Sequence, residues 1–193
     1  MYAFISGKLA EITPTYAIVD NQGIGYFINI TVNTYSQIKN LKEVKLFTHL
    51  VVREDAQLLF GFAKENERVL FLMLITVSGV GANTARLILS SLTTEETYQA
   101  ITTGNVGVLQ SVKGIGGKTA QRIVIDLKDK LMKQDIQLEK IATTHNTLKD
   151  EALSGLLILG FNKNIAEKAM SKVLKQTEID SVEQLIKEAL KIL

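Results

Sequence analysis

The amino-acid sequence predicts an α+β chain in which a strand-rich N-terminal third is followed by two helical segments. β-Branched and aromatic residues are frequent over residues 1–63, which is typical of strands. From Glu65 onward, apolar residues recur at helical spacing, which predicts helices. Two matching glycine segments interrupt this helical pattern near its middle. The chain therefore divides into a β domain, a central all-α domain and a smaller C-terminal helical domain.

Five short apolar segments are the predicted strands of the N-terminal domain, residues 1–63. They begin at Tyr2, Tyr16, Tyr26, Val44 and Leu58. Asp20-Asn-Gln-Gly23, between the second and third segments, is a strong turn signal. Five strands joined by turns suit a small β-barrel, with the oligonucleotide-binding (OB) type as the leading candidate. A generic small β domain is the alternative that this pattern leaves open.

Two copies of one short pattern lie 35 residues apart in the central domain, residues 64–134. The matched positions are Gly79 with Gly114, Gly81 with Gly116, Thr84 with Thr119, and Ala85 with Ala120. Helical sequence precedes each copy and an apolar-periodic stretch follows it, which predicts two helix-hairpin-helix motifs. Val80 and Ile115, the residues between the glycines, are expected to anchor the hairpins in the core. The amides at the start of each second helix suit a phosphate.

Three interpretations compete for the second copy, Gly114-Ile-Gly-Gly-Lys-Thr119. A nucleotide-binding P-loop ends in Gly-Lys-Thr, but it needs a glycine at position 112 and a preceding strand. Val112 and the helical sequence before it argue against that interpretation. A plain packing turn would account for one Gly-x-Gly segment. Two matched copies favour the third interpretation, in which backbone amides bind DNA phosphates without reading base sequence.

The candidate DNA-binding residues belong to the two hairpins and to the helical turns that follow them: Gly79, Gly81, Thr84, Gly114, Gly116, Gly117, Lys118, Thr119 and Arg122. Lys118 and Arg122 are four residues apart, so they share one face near the helix start and can add charge to the same phosphates. In the first copy Asn83 and Leu87 occupy those positions. That hairpin is therefore expected to rely on its backbone and on the Thr84 hydroxyl.

Charge and composition narrow the functional class further. The formal net charge is +2. The balance is zero over residues 1–63 (five basic, five acidic), +3 over 64–134 (nine and six) and −1 over 135–193 (eight and nine). The positive excess therefore lies on the domain with the hairpins, although most surface charge is simply solvated.

With no cysteine and two histidines, we predict no metal site and no cofactor. Neither a signal peptide nor a 20-residue apolar span is evident, which predicts a cytoplasmic protein.

Two adjacent carboxylates, Glu54 and Asp55, lie between the fourth and fifth predicted strands. A turn at this place should project both side chains outward. In a DNA-binding protein they would repel phosphates, which makes them candidates for steering or separating strands. An ordinary solvated turn is the simpler interpretation of the same two residues.

The C-terminal part is predicted to be a separate helical domain on a tether. The helix after the second hairpin is expected to end near Lys133, and polar residues 135–147 predict a flexible linker. Residues 148–193 contain three segments with amphipathic helical periodicity. Their leucine content is sufficient for a small independent core.

Several of these segments together resemble the RuvA family of Holliday-junction-binding proteins. They are Met1–Gly7, Thr48–Ala56 with Leu59–Phe62, the paired hairpins, and the linker with its small helical domain. The resemblance spans the whole chain in the right order. It implies an OB-type barrel that assembles a homotetramer, or two tetramers face to face. It also implies that the hairpins, with Lys118 and Arg122, hold the duplex arms of a four-way junction.

The resemblance further implies roles for the remaining elements. Glu54 and Asp55 match the acidic pin at the strand crossover. The C-terminal helices match the domain that binds RuvB, the hexameric ATPase, and the partners extend to the RuvC resolvase. Contacts with RuvB are expected on an exposed face near Leu156, Gly160 and Phe161. The chain itself is then non-catalytic and acts in recombination and repair.

Two other functional classes remain as alternatives. DNA glycosylases that contain a similar hairpin place a catalytic aspartate about 20 residues beyond it, and Asp135 lies 21 residues after Gly114. Asp135 lacks the Val-Asp-Thr-His context of such enzymes, and the segment has no tryptophan to line a base pocket. A general single-strand-binding barrel protein is the other alternative.

Overall fold

The computed structural model describes residues 2–143, 148–176, 179 and 181–193. The chain divides into two compact units, Met1–Lys133 and Gln134–Leu193, and each is described by itself. The first unit contains the β-barrel and the hairpin domain. The described part of the second contains the end of the long helix that follows the second hairpin, and three further helices.

The first unit begins with a five-stranded closed barrel in the order β1-β2-β3-β5-β4. The strands are β1 (Phe4–Ile12), β2 (Tyr16–Asn21), β3 (Ile24–Ile30), β4 (Glu43–Val52) and β5 (Gln57–Phe62). Neighbouring strands pair antiparallel except for β3 and β5, which are parallel. β1 pairs with both β2 and β4, and its register with β2 shifts between Leu9 and Glu11. The predicted five-stranded barrel is confirmed.

A short helix, α1 (Val32–Ile38), connects β3 to β4, whereas the sequence predicts that the strand continues through Val32. The strand ends at Ile30 because Thr31 caps the helix: its side-chain oxygen accepts a hydrogen bond from the Thr34 N–H at 2.9 Å. Threonine and valine are good strand formers, and the cap overrides this local preference.

The hairpin domain follows the barrel and consists of helices, as predicted. They are α2 (Glu65–Ile75), α3 (Ala82–Ser91), α4 (Thr94–Thr103), α5 (Val106–Gln110) and α6 (Gly117–Thr143). The motif Thr93-Thr-Glu-Glu96 predicts a capping box at the start of α4. This box is formed, since Thr93 and Glu96 each accept a hydrogen bond from the other's backbone N–H. Ile123, Leu127 and Leu131 are buried on one face of α6.

Helix α6 is ten residues longer than predicted, ending at Thr143 rather than near Lys133. No glycine or proline follows Gly117 within it, and leucine, lysine, glutamate and glutamine favour the helix. The prediction that polar composition after Lys133 ends the helix is therefore wrong. Residues 135–143 of the predicted linker therefore belong to this helix, whereas residues 144–147 lie outside the described part of the chain and their linker role stays a prediction.

The barrel and the hairpin domain share a hydrophobic core. Phe60 and Phe62 belong to β5 but are buried in the same cluster as the helices of the hairpin domain. The ring of Phe71 on α2 lies 5.2 Å from the Phe60 ring and 4.9 Å from the Phe62 ring, centroid to centroid. Aromatic contacts of this kind stabilise both partners. The two domains are therefore packed into one body.

The second unit has a hydrophobic core of its own. Its helices are α7 (Leu148–Ile158), α8 (Lys163–Gln176) and α9 (Val182–Leu190). Eight buried side chains form this core: Ala152, Leu156, Ala166, Ala169, Met170, Val173, Leu185 and Ala189. The predicted three-helix domain is confirmed. Across the described residues of both units, no helix is both long enough and apolar enough to cross a membrane.

Candidate nucleic-acid interface

The two predicted hairpins have the same backbone conformation. Gly79 and Gly114 both have φ of 89°, in the left-handed region that glycine adopts without strain. Each turn is closed by an equivalent hydrogen bond, from the Val80 N–H to the Val77 carbonyl oxygen and from the Ile115 N–H to that of Val112, both 3.0 Å. The sequence repeat is therefore a structural repeat.

Each hairpin is anchored by the apolar residue between its glycines. Val80 and Ile115 are buried in the core of the hairpin domain, as predicted. Their burial leaves the flanking glycines on the surface. The backbone at the hairpin tips is therefore held rigidly while remaining accessible.

The surface glycines are not needed for packing within the described part of the protein. A Cβ atom built on Gly79, Gly81, Gly114 or Gly116 would have no described neighbour within 4 Å. Gly81 has φ of −84°, a conformation open to any residue, so neither strain nor space requires glycine there. If the segment were only a packing turn between helices, there would be no reason for glycine at position 81. A missing side chain does allow an external group to approach the backbone closely.

Gly117 differs from these four glycines. A Cβ atom at this position would lie 2.6 Å from Nε2 of Gln110, the end of a flexible side chain that can move aside. The equivalent residue of the first copy, Ala82, is buried. Gly117 is therefore less open than the other four glycines, but its contact with Gln110 does not require glycine.

The helix that follows each hairpin begins with amides that the helical ladder leaves without a partner. Gly81 is the N-cap of α3, and no described side chain caps this helix. The first backbone bonds of the two helices run from the Ala85 N–H to the Gly81 oxygen at 2.9 Å and from the Ala120 N–H to the Gly116 oxygen at 3.0 Å. Amides before these have no partner in the helical ladder and can bind an anion. Since helix α5 precedes the second hairpin, the segment does not have the preceding strand of a P-loop.

Positive side chains surround the second hairpin more than the first. Lys118 and Arg122 are exposed, as is Lys113, which directly precedes Gly114. Lys113 was not among the predicted contacts, although it aligns with Ser78 of the first copy and its place in the turn could have identified it. The half-buried threonines of the two copies, Thr84 and Thr119, lie in the first turns of α3 and α6.

Arg122 also contacts the first hairpin. Its Nη1 donates a hydrogen bond to the backbone oxygen of Ser78 at 3.2 Å. No pattern in the sequence indicated this contact, because the two residues are 44 positions apart and only the tertiary fold brings them together. The two hairpins are thus adjacent.

In the first hairpin, which lies wholly within the described residues, no equivalent cation faces outward. Asn83 and Leu87 are exposed at the positions that match Lys118 and Arg122. Arg86, the one arginine of α3, points to the barrel instead, where Nη1 donates to the Thr15 oxygen at 3.2 Å and to Oδ1 of Asn29 at 3.1 Å. Partial burial of this guanidinium lowers its pKa, but arginine remains charged.

Glu54 and Asp55 lie at the exposed tip of the β4–β5 hairpin. The turn is closed by a hydrogen bond from the Arg53 N–H to the Ala56 oxygen at 2.8 Å. Among the described residues, neither carboxylate has an ion-pair partner. Both carboxylates are exposed, which the strand-steering interpretation requires and which an ordinary solvated turn also allows.

The predicted partner face needs a correction. Leu156 is 0% exposed in the core of the second unit, because it is on the inward face of α7, and it is not available to a partner. Gly160 is exposed with φ of 95° and ends α7, while Phe161 is half-buried against the core. The exposed apolar side chains at this helix end are Leu157, Ile158 and Leu159.

The described residues contain no group of three or more metal-ligating side chains. Asp135, the residue considered for a glycosylase, lies within α6, but its side chain is outside the described part of the structure.

The fold and the site together define a protein with an OB-type barrel joined to a tandem of helix-hairpin-helix motifs. A family model for the RuvA N terminal domain matches residues 1–61, and one for the RuvA C-terminal domain matches residues 147–193. A model described as a SAM-like helix-hairpin-helix tandem matches residues 71–129 between them. The chain belongs to the RuvA family.

Curated relatives match along the whole chain. The chain is 48% identical over 191 residues to a protein of Christiangramia forsetii, with 99% of each chain covered. It is 48% identical over 192 residues to one of Flavobacterium psychrophilum and 43% identical over 199 residues to one of Bacteroides fragilis, again with 99% of each covered. Each of these relatives is named Holliday junction branch migration complex subunit RuvA.

Proposed function

We propose that this chain is a non-catalytic DNA-binding subunit that recognises four-way junctions by structure and serves branch migration in recombination and repair. The pair of matching hairpins with open glycine backbones supports this function most directly. The name of the curated relatives specifies a Holliday junction branch migration complex. Family membership makes the same role the best candidate here.

The hairpins bind phosphate oxygens through backbone amides, so binding does not depend on base sequence. The DNA contacts are Gly79, Gly81 and Thr84 in the first motif. In the second they are Gly114, Gly116, Lys118, Thr119 and Arg122, and we add Lys113 because it is exposed beside Gly114. Gly117, half-buried beside these residues, stays a predicted contact. The second motif supplies most of the positive charge, and the first supplies backbone contacts.

Several copies of the chain act together on one junction. A homotetramer presents eight hairpins, and multivalency converts many weak contacts into tight, junction-selective binding. Exposed aromatic side chains on the barrel, Tyr2, Phe4 and Phe27, support contacts between copies, since large apolar groups at a surface favour association. Ile125, 76% exposed on α6, is a candidate contact for a second tetramer.

Glu54 and Asp55 form the acidic pin of this assembly. At the exposed tip of a tight turn, two carboxylates repel the phosphates of strands that approach the crossover. Repulsion at this point disfavours re-pairing and directs each strand into a new arm. A junction held open in this way is a suitable substrate for a motor.

The motor is a separate ATPase of the RuvB type, and it binds the second unit of this chain. Ile158 is 86% exposed at the end of α7, and with Leu157 and Leu159 it offers an apolar contact. ATP hydrolysis belongs to that partner, and this chain needs no cofactor. A RuvC-type resolvase is a further partner on the same junction, in the cytoplasm.

Junction recognition is tested by titrating the full chain against a synthetic four-way junction and a linear duplex of the same sequence. We expect the junction to bind at far lower concentration than the duplex. Equal affinities would contradict junction recognition. Preference for single strands would instead favour a general single-strand-binding protein, and release of a base would favour a glycosylase.

Motor recruitment is tested with the variant Ile158→Ser and the matched control Leu174→Ser, an exposed apolar residue on α8. We expect Ile158→Ser to weaken binding of the RuvB-type ATPase and leave junction binding unchanged, while the control alters neither. Removal of residues 148–193 should abolish recruitment and retain junction binding. Loss of junction binding in that truncated chain would contradict the division of roles between the units.

A further inference from the structure

Helix α1 of the barrel contacts the second helix of the first hairpin. The side chain of Asn33 donates two hydrogen bonds from Nδ2, to the Leu89 oxygen at 2.6 Å and to the Leu92 oxygen at 2.9 Å. Both oxygens lie at the C-terminal end of α3, where helical carbonyls lack partners within the helix. The Val32 N–H also donates to Oγ of Ser90 at 3.2 Å. A barrel element therefore caps this helix.

The same helix contacts the first helix of that hairpin through a buried carboxylate. Glu67 on α2 is 2% exposed. Its Oε1 accepts from the Thr31 hydroxyl at 2.5 Å and its Oε2 accepts from the Thr34 hydroxyl at 2.9 Å. Neither oxygen has an ion-pair partner within the described residues. Two threonines of the α1 N-terminus thus satisfy a carboxylate of the hairpin domain.

The orientation of these hydroxyl groups is set by the backbone. Oγ1 of Thr31 accepts the Thr34 N–H at 2.9 Å, and Oγ1 of Thr34 accepts the Ala63 N–H at 3.0 Å. With those acceptor sites occupied, each hydroxyl proton can point at Glu67. The hydrogen bonds among Thr31, Thr34 and Glu67, which we call the Glu67 cluster, therefore have defined directions. They join α1, the end of β5 and α2.

The hydrogen bonds of α1 define an orientation between the barrel and the helices, which burial in the shared apolar core does not. The burial of Phe60, Phe62 and Phe71 stabilises the association of barrel and helices, but apolar burial is non-directional. Hydrogen bonds weaken steeply when distance or angle changes, so they define one orientation. A buried carboxylate contributes less to stability than an apolar residue of the same volume could. A buried, hydrogen-bonded polar group can instead specify one orientation of the elements that it joins.

We propose that α1 sets the position of the first hairpin relative to the acidic tip of the barrel, and that Asn33, Thr34 and Glu67 are positioning residues for junction selectivity. The tip is part of the barrel, whereas the hairpin is formed by α2 and α3. Helix α1 holds both of those helices. This inference rests on the proposed function, since it concerns the geometry that a junction requires.

A junction and a single duplex make different demands on this geometry. One duplex arm needs only a hairpin pair to bind its phosphates. A junction needs the hairpins of every copy placed correctly around the crossover where the acidic tips lie. Loosening α1 should therefore weaken junction binding while duplex binding stays the same.

The test measures the dissociation constants of the full chain for a four-way junction and for a linear duplex. Asn33→Ala removes both bonds to α3, and Thr34→Val removes the hydroxyl from the Glu67 cluster. Thr34→Ser keeps the hydroxyl and is the conservative rescue. Gln37→Ala is the matched control, because this exposed amide on α1 donates, within the described structure, to the Asn33 oxygen of its own helix at 3.2 Å.

We expect Asn33→Ala and Thr34→Val to reduce the junction-to-duplex selectivity by about fivefold or more, the lower range of measured couplings between sites. Thr34→Ser and Gln37→Ala should keep the wild-type selectivity. Thermal melting of every variant in parallel identifies one that does not fold. If Thr34→Val at its buried position does not fold, the outcome is decided by Asn33→Ala, because Asn33 is only half-buried.

An equal loss of affinity for both DNA forms would overturn the proposal, because α1 would then only stabilise the domain. Unchanged selectivity in the folded variants would overturn it as well. A wild-type chain with no preference for the junction would instead contradict the proposed function, so the two failures are distinguishable.

Discussion

Arg122 on α6 donates a hydrogen bond from Nη1 to the backbone oxygen of Ser78, 3.2 Å away in the turn of the first hairpin. A guanidinium has five N–H donors, so the others remain available to a phosphate. The same side chain can therefore bind DNA at the second hairpin and hold the first hairpin beside it. Lys118, one turn earlier on α6, is exposed and has no corresponding contact with the first hairpin among the described residues.

Arg122→Ala should weaken DNA binding more than Lys118→Ala does, although each removes one charge. Loss of the Lys118 charge should weaken binding to all sequences equally and reduce the salt dependence by about one phosphate contact per bound hairpin. Arg122→Ala should add a salt-independent loss, since the first hairpin is no longer held. Arg122→Lys should restore the wild-type salt dependence of DNA binding but not the salt-independent part of the affinity. Titrations at several salt concentrations provide the measurement, and superimposable curves for the two alanine variants would contradict the additional role.

Gly81→Ser and Gly116→Ser should weaken DNA binding while leaving the melting temperature close to that of the wild type. Serine is as good an N-cap as glycine, and its Cβ meets no described protein atom at either position. The new side chain would instead occupy the space of the phosphate and bond to a helix amide. Gly25→Ala in β3, where Cβ makes only an ordinary contact of 3.5 Å with Ile18, is the control. Unchanged DNA affinity in both serine variants would show that the hairpins do not bind phosphate.

Replacement of Glu54 by Gln together with Asp55 by Asn should tighten junction binding and disturb branch migration. Both effects follow from removal of the charge that repels phosphates near the crossover. Junction titration and a strand-exchange assay with the motor measure them. Glu95→Gln, an exposed carboxylate on α4, is the control for a general change of charge. If neither property of the double variant differs from the wild type, the pair is an ordinary surface turn.

The stability of the wild type relative to Glu67→Gln should fall as the pH rises. Burial raises the pKa of Glu67 above its ordinary value of 4.5, and the hydrogen bonds from Thr31 and Thr34 oppose that rise only in part. The folded chain then holds this proton more tightly than the unfolded chain. Unfolding free energy is therefore lost between pH 4.5 and the raised pKa, at about 1.4 kcal/mol for every tenfold difference in proton affinity between the two states.

Urea denaturation of both proteins between pH 4 and pH 8 measures that difference, and groups common to both proteins cancel. Glutamine does not titrate, so its variant provides the reference at every pH. A difference in unfolding free energy that stays constant across this range would mean that the folded chain does not raise the pKa of Glu67.

Local patterns predicted the parts of the fold that local interactions determine. The strands, the two hairpins and the Thr93 capping box depend on residues close in sequence, and all of them form. Helix α1 was missed because Thr31 and Val32 favour a strand, and only the cap converts them into a helix start. The end of α6 was misplaced because polar composition does not end a helix without a glycine, a proline or a competing cap.

The residues of the candidate site likewise divide into those that local patterns predicted and those that only the tertiary fold brings together. Repetition identified Gly79 and Gly114, and helical spacing identified Lys118 and Arg122. Contacts between residues distant in sequence had no such signal, and those from Arg122 to Ser78 and from Asn33 to the end of α3 appeared only in the structure. Leu156 was misplaced for a related reason, because leucines at helical spacing mark a face of a helix without saying whether a partner or the domain itself covers it.

The position of Phe60 and Phe62 limits how this chain can be divided. A fragment that ended at residue 63 would expose two aromatic rings that are buried in the core of the hairpin domain, so the barrel is not a transplantable module. Exchange of barrels between relatives would have to include α2 and Phe71. The C-terminal three-helix unit has a core that consists of its own residues, so exchange of this unit between relatives would keep that core intact.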